Sequence, residues 1–153
     1  MIEALSHLTV APIDDNYDDK VWIVWGGINT GKKVCGTYLK AAIAWNSYYI
    51  LMTTGNTWET SDLYVSFFDS GFRLLDFAYL ECLAPLAPKF RLIELVQPDC
   101  VVVEYGCSWQ IRCLPKKRYR LPWITEPGDV TRPKPFSCHF LASHSQKMLA
   151  RTE

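Results

Sequence analysis

Apolar residues in the first third of the chain recur with the period of an α-helix. Tyr38, Ala42, Trp45 and Tyr49 are spaced three or four residues apart, which would place them on one face of a helix. Because such a face must be buried against another element, we predict an amphipathic helix that packs on the rest of the domain.

A second segment, Ser61–Leu83, is apolar except for a stripe of polar residues at helical spacing. Asp69 and Arg73 stand four residues apart on this stripe, the separation at which opposite charges pair on a helix. Gly71 lies between them and indicates a bend. We predict a mostly buried second helix over this segment.

Other segments are rich in β-branched and aromatic residues, which is typical of strands. Val21–Trp25 is such a run. Val101–Cys113 predicts a hairpin with its loop at Gly106–Ser108 and with Val103 paired to Ile111, because this register leaves one face wholly apolar. The predicted fold class is therefore α+β, a small mainly antiparallel sheet with two main helices packed on it.

The chain has 153 residues, of which 49% are hydrophobic and 21% charged. This composition predicts one globular domain over residues 1–153 and excludes a disordered chain. The apolar stretches are too short to span a bilayer. The formal net charge is zero, but an acidic N-terminal segment (1–20) precedes a basic, proline-rich C-terminal segment (115–153). This asymmetry favours self-association or an anionic partner.

Six cysteines are present, and none forms a C-x-x-C pair. The first ten residues lack the basic and long apolar regions of a secretory signal, which indicates a cytoplasmic location with free thiols. Cys138, His139 and His144 are candidate metal ligands, but zinc requires four, so we predict no metal and no cofactor. Cys107 with either histidine is an alternative nucleophile and base.

The stretch GGINTGKK resembles a phosphate-binding loop. Gly26, Gly31 and Lys32 match the motif, but Lys33 stands where the motif needs a hydroxyl to hold magnesium. We interpret the stretch as a hairpin turn with Asn29–Gly31 at its tip, and keep nucleotide binding as an alternative.

The clearest surface signal is the run KKRYR. Lys116, Lys117, Arg118 and Arg120 are interrupted by Tyr119, an arrangement suited to phosphate contacts with an aromatic anchor. The run predicts a patch for an anionic partner, and its alternative interpretation is a solvated connector.

APIDDNY at Ala11–Tyr17 and TYLKAAIAWNSYYI at Thr37–Ile50 resemble the start of the globular core of rhabdovirus matrix proteins. The resemblance covers residues 11–70. It implies an α+β core without enzymatic activity that self-associates and bridges nucleocapsid to membrane.

We therefore expect a non-enzymatic protein-interaction module, viral and matrix-like, that contacts itself and an anionic membrane or nucleocapsid in host cytoplasm or virion. A small inhibitory binder of the toxin-immunity or anti-defence kind is the first alternative, since a compact chain with 14% aromatic residues also fits it. A degenerate nucleotide-binding protein is the second.

Overall fold

The computed structural model describes residues 1–14, 19–55, 62–82 and 88–145. Strands account for 65% of the structure and helix for 2%. The predicted α+β class with two main helices is therefore wrong, because both segments predicted as helices form strands.

The structure is built almost wholly from antiparallel strands. In chain order the elements are β1 (Ile2–Ala4), β2 (Leu8–Ala11), β3 (Lys20–Trp25), β4 (Ile28–Cys35), β5 (Tyr38–Trp45), β6 (Tyr48–Thr54), β7 (Leu63–Asp69), β8 (Leu74–Leu80), β9 (Arg91–Val96), β10 (Cys100–Tyr105), β11 (Cys107–Tyr119), the helical turn α1 (Pro122–Thr125), β12 (Val130–Thr131) and β13 (Ser137–His144).

These strands form three sheets. The central sheet has the order β1-β5-β6-β7-β8-β12, the four-stranded sheet the order β13-β11-β10-β9, and the three-stranded sheet the order β2-β3-β4. Alternate residues of β6 face different cores: Ile50 and Met52 belong to one apolar cluster and Leu51 to another, and all three are fully buried. Because side chains alternate across a strand, the central sheet lies between the two outer sheets.

Each interface of this three-layer arrangement has its own apolar core. Trp109, Ile111 and Phe140 of the four-stranded sheet pack on one face of the central sheet. Ile23 and Val34 of the three-stranded sheet pack on the other face. The four-stranded sheet thus covers one side of the central sheet, and the three-stranded sheet covers part of the other.

The first predicted helix is a hairpin of β5 and β6. Trp45 pairs with Tyr48, and Asn46 between them adopts φ 54°, a left-handed conformation that asparagine tolerates in tight turns. Beyond the exposed Tyr38 and Lys40 at the start of β5, both faces of these strands are covered by outer sheets, so apolar residues occur at odd and even positions alike. A helix-like spacing arises within such a run without a helix.

The second predicted helix is the hairpin of β7 and β8; its ends, Ser61 and Leu83, lie outside the described residues. Asp69 closes the turn, since its Oδ1 accepts hydrogen bonds from the backbone N–H groups of Gly71 at 3.0 Å and Arg73 at 2.9 Å. Arg73 Nε lies 3.0 Å from Asp69 Oδ2. The predicted ion pair is therefore present, but it spans a hairpin turn.

The predicted β10–β11 hairpin is confirmed, with a different register. Val103 pairs with Trp109 where we predicted Ile111, and the turn contracts from the predicted Gly106–Ser108 to Gly106 alone, with φ 71°. A shift of two residues keeps every side chain on its predicted face. The apolar face is consequently the one that packs on the central sheet.

Candidate functional site

The long strand β11 continues beyond its hairpin and carries the first four residues of the KKRYR run, Lys116–Tyr119, into solvent. Its pairing with β13 is regular up to Cys113 and resumes, after an irregularity, at Arg118. Such an irregularity frees backbone from the regular ladder. Lys116 and Lys117 lie within it, and both are exposed, as are Arg118 and Tyr119.

Exposed apolar side chains occur in the same run, in the turn that follows it and in the segment before β13. Tyr119 is 93% exposed, Ile124 71%, Phe136 59% and Leu121 52%. A backbone hydrogen bond of 3.0 Å from Arg120 N to the carbonyl oxygen of Phe136 joins the two segments that carry them. We call the following set the basic apolar surface: Lys116, Lys117, Arg118, Tyr119, Leu121, Ile124, Lys134 and Phe136.

Arg120 was predicted to belong to the anionic-partner patch, but its side chain is buried. Its Nη1 pairs with Glu126 Oε2, and both side chains are 3% exposed or less. Glu126 also forms an ion pair with Arg132, whose Nη2 lies 2.6 Å from Glu126 Oε1. Arg132 Nη1 lies 2.8 Å from Asp76 Oδ2. Two guanidinium groups and two carboxylates thus form a buried ionic cluster without net charge.

This buried ionic cluster fixes the segment below the basic apolar surface. Arg132 Nη2 donates to the carbonyl oxygen of Phe140, and Glu126 Oε1 accepts from Ala142 N at 2.9 Å. Burial works to lower the pKa of Arg132, but the hydrogen bonds and charges of Glu126 and Asp76 outweigh it and raise the pKa. Arg132 therefore stays charged and holds the segment after β11 against β8 and β13.

The electrostatic field of the basic apolar surface extends to a half-buried histidine. Burial lowers the pKa of His139, and the charges of Lys117 and Lys134 lower it further, against the opposing effect of Asp76. The two lysines come from different segments of the chain, and both are near enough to His139 to lower its pKa. The neighbourhood of Lys134 and Phe136 depends on the pairing of β11 with β13, so the sequence prediction missed both. It also missed Leu121 and Ile124, which follow the run directly in the sequence.

The stretch resembling a phosphate-binding loop lies in the β3–β4 hairpin. Gly26 and Gly27 form the turn with φ 55° and 84°, so the predicted tip at Asn29–Gly31 is wrong. The backbone N–H of Gly31 donates a hydrogen bond of 2.9 Å to Asn29 Oδ1. This N–H group is therefore already used within the hairpin, whereas a phosphate-binding loop would offer it to a phosphate. Lys32 continues β4, where the nucleotide motif requires a helix.

The candidate metal ligands do not converge. Cys138 is buried, His139 occupies the next position of β13, and His144 pairs through Nε2 with Asp129 Oδ2 at 3.0 Å. Within the described ranges, no three His, Cys, Asp or Glu side chains are placed to hold a metal ion. None of the six cysteines forms a disulfide bond.

Cys107 and His144 do meet, as one alternative interpretation of the sequence required. Cys107 Sγ lies 3.6 Å from His144 Nδ1, and Asp129 holds the opposite ring nitrogen. This connectivity is that of a thiol nucleophile with an oriented base. However, burial, the charge of Asp129 and Cys82 raise the pKa of the Cys107 thiol, which disfavours the reactive thiolate.

Among the described residues, no helix has the length and apolar character needed to cross a bilayer. The exposed cations and apolar side chains make the basic apolar surface the candidate functional site of the fold. No protein-family model, curated protein or solved structure matches the chain.

Proposed function

We infer that the protein is a non-enzymatic interaction module that docks on anionic phospholipid surfaces through the basic apolar surface. The observation that carries this proposal is the joint exposure of cations and large apolar side chains. Tyr119 follows Lys116, Lys117 and Arg118 directly and is 93% exposed, and Ile124 is 71% exposed in the helical turn after the run. Amphipathic surfaces of this composition place cations at lipid head groups and apolar side chains below them.

The number of exposed cations favours binding to an anionic lipid surface with moderate affinity. Each lysine or arginine near an anionic membrane contributes about 1 kcal/mol, and the surface holds four exposed cations. Nucleic-acid binding relies on a larger set of phosphate contacts and has no need of exposed aliphatic residues such as Leu121 and Ile124. An anionic membrane therefore fits the surface better than RNA.

The buried ionic cluster supports the same proposal from inside the fold. Arg120 and Arg132 neutralise Glu126 and Asp76, so these carboxylates add no negative charge beneath the surface. We place the protein in the cytoplasm, whose reducing conditions suit six cysteines that form no disulfide bond. Self-association and a matrix-like role remain predictions of the sequence resemblance.

Vesicle flotation tests the proposal. The wild-type chain is mixed with vesicles of phosphatidylcholine alone or with added phosphatidylserine, and binding is expected only to the anionic vesicles and to weaken with salt. Replacing Lys116, Lys117 and Arg118 by serine removes three charges, which is expected to weaken binding by about a hundredfold at low salt.

The matched control removes the same charge elsewhere. Lys32, Lys40 and Lys89 are exposed lysines outside the basic apolar surface, and their replacement by serine is expected to retain most of the binding. Replacing Tyr119 and Phe136 by serine tests the apolar contribution and is expected to weaken binding without changing its salt dependence. Equal losses in the two triple variants, or tighter binding to single-stranded RNA than to vesicles, would overturn the proposal.

A further inference from the structure

Strand β4 is the outer strand of the three-stranded sheet. The order of this sheet is β2-β3-β4, and within the part of the chain that the structure describes β4 pairs only with β3. An edge strand directs alternate backbone N–H and C=O groups away from its own sheet, where another strand can bond them. The second edge of β4 is therefore suited to an added strand.

The register identifies the residue whose backbone groups point to this edge. The N–H of Gly36 donates a hydrogen bond of 2.7 Å to the carbonyl oxygen of Asp19, and this pair continues the β3–β4 ladder. In an antiparallel ladder, residues bonded to the partner strand alternate with residues whose N–H and C=O groups face the other way. Val34 thus bonds to β3, and Lys33 presents its N–H and C=O at the free edge.

A cavity of about 440 Å³ lies against this edge. Lys33, Val34 and Cys35 all line it, although consecutive side chains of a strand point to opposite faces. The edge of β4, and not one of its faces, therefore forms this wall. Residues of β7 and β8 form the opposite wall, where the three-stranded sheet stops covering the central sheet. A strand placed in the cavity would border β4 and rest on the central sheet at the same time.

The floor of the cavity is apolar and aromatic. It includes Phe68 of β7 and Leu74, Phe77 and Tyr79 of β8. Leu74 is 50% exposed, and the ring centres of Phe77 and Tyr79 lie 4.6 Å apart at an interplanar angle of 88°. An added strand would cover this surface with the apolar side chains of its alternate positions, which is how strand addition obtains its specificity.

The outer face of β4 favours an acidic strand. Val34 packs in the apolar core, so Lys33 lies on the opposite face of β4, where its Nζ is 4.8 Å from the centre of the Trp22 ring. A strand added at this edge places a side chain directly beside Lys33, and opposite charges stabilise such a pair. Asp76 in the floor is bonded to Arg132 Nη1 at 2.8 Å, so its charge is compensated.

The same lysine disfavours a second copy of β4 as the occupant. Antiparallel pairing of two β4 strands centred on Lys32 or Lys33 would place that lysine opposite its counterpart in the other copy. Like charges directly opposite each other destabilise a strand pair, and lysines on edge strands commonly prevent self-pairing in this way.

We propose that the free edge of β4 and the adjoining cavity bind an extended peptide segment of a partner protein, in which apolar residues alternate with acidic ones. The segment becomes the fourth strand of the three-stranded sheet. Its apolar side chains cover Phe68, Phe77 and Tyr79, and a carboxylate lies beside Lys33. This binding does not depend on membrane docking and is measured without vesicles, so either proposal can fail alone.

Fluorescence anisotropy with labelled synthetic peptides and the full chain provides the test. The alternating peptide LEVEVEL is expected to bind saturably. The peptide LVVLEEE has the same composition in two blocks, and LKVKVKL has the opposite charge; both are expected to bind at least about tenfold more weakly. Absence of saturable binding to LEVEVEL, or equal affinity for LVVLEEE, would overturn the proposal.

Methylation of the peptide backbone tests the strand pairing itself. Residues on the same face as Lys33 direct their N–H groups to β4, so N-methylation of the glutamate amides in LEVEVEL is expected to abolish binding. N-methylation of the valine amides blocks groups that face away from β4, and most of the binding is expected to remain. Equal losses for the two methylated peptides would contradict pairing with β4.

Variants of the chain test the two contacts separately. Lys33→Glu is expected to lose binding of LEVEVEL and to gain binding of LKVKVKL, whereas Lys40→Glu, at an exposed lysine outside the cavity, should retain the wild-type preference. Leu74→Asp places a charge on the floor at a half-exposed position and is expected to weaken binding with an unchanged circular dichroism spectrum. Unchanged affinity in both Lys33→Glu and Leu74→Asp would contradict the proposal. A dimer of the wild-type chain that Leu74→Asp dissociates and that excludes LEVEVEL would assign the cavity to a second copy and overturn it.

Discussion

Glu126 Oε1 lies 2.6 Å from Arg132 Nη2, and neither side chain is more than 1% exposed. The same carboxylate pairs with Arg120, so one glutamate contacts two buried guanidinium groups, and Asp76 supplies the second negative charge of the cluster. Ion pairs at this depth lose hydration on folding, and their stability depends on every partner being present. The exposed end of β11 is therefore connected to the interior through Glu126.

We predict that Glu126→Gln, which keeps the shape and removes the charge, lowers the free energy of unfolding by about 3–5 kcal/mol. The loss follows because Arg120 keeps its buried charge without a counter-charge. Urea unfolding monitored by tryptophan fluorescence measures it. Arg73→Gln serves as control, since Arg73 pairs with Asp69 at an exposed turn and its loss is expected to change stability little. A loss below about 1 kcal/mol for Glu126→Gln would contradict the interpretation.

Gly36 supports a second prediction about stability. It adopts φ 99°, and a Cβ placed there would lie 2.6 Å from Thr53 Oγ1 and 2.7 Å from Thr53 Cβ. Gly36→Ala therefore combines backbone strain with a clash against β6, and we expect it to cost about 2 kcal/mol or more. Gly128→Ala is the control, because nothing lies within 4 Å of its added Cβ. Similar thermal midpoints for the two variants would contradict the prediction and show that Thr53 of β6 can move away from the added Cβ at little cost.

The sequence predicted strands correctly where local signals agree. Val21–Trp25 and the β10–β11 hairpin combine β-branched residues with glycine turns, and both are present in the structure. The two predicted helices failed because the central sheet is covered on both faces. Apolar residues then occupy both odd and even positions of a strand. The alternation of apolar and polar residues that distinguishes a strand from a helix is lost.

The candidate site was predictable only in part for a similar reason. The cations Lys116, Lys117 and Arg118 were identified from a local run, and they are exposed. The burial of Arg120 depends on Glu126, and that of the whole cluster on Asp76, which lies 56 residues before Arg132. Contacts at such separation leave no periodic trace in the sequence.

The contact between Cys107 and His144 supports a prediction about the alkylation rate of Cys107. Whether Asp129→Asn raises or lowers this rate distinguishes an unactivated thiol from a catalytic relay. Asp129 raises the pKa of the Cys107 thiol, after the larger effect of burial. Asp129→Asn removes that negative charge, so we expect a larger thiolate fraction and faster alkylation of Cys107 by iodoacetamide near neutral pH. Peptide mapping by mass spectrometry separates Cys107 from the other thiols.

A catalytic relay requires the opposite outcome. If Asp129 orients His144 as the base for Cys107, Asp129→Asn slows the alkylation of the thiol. Asp99→Asn provides a charge-matched control, because Asp99 acts on the thiol of Cys113. Slower alkylation in Asp129→Asn alone would establish the relay and contradict our prediction.

Cys113 predicts how stability changes in alkaline solution. Burial, followed by the effects of Asp99 and Cys100, raises the pKa of its thiol from 9.0 to about 12. Between these values the unfolded chain has released the proton and the folded chain retains it, so stability falls as pH rises. At pH 10.5 the expected loss from this group is about 2 kcal/mol relative to pH 7.5. Cys113→Ala removes this group and should lose correspondingly less stability over the same interval, as measured by urea unfolding with reductant present. Equal losses for the variant and the wild type would show that Cys113 ionises as readily in the folded chain as in the unfolded one.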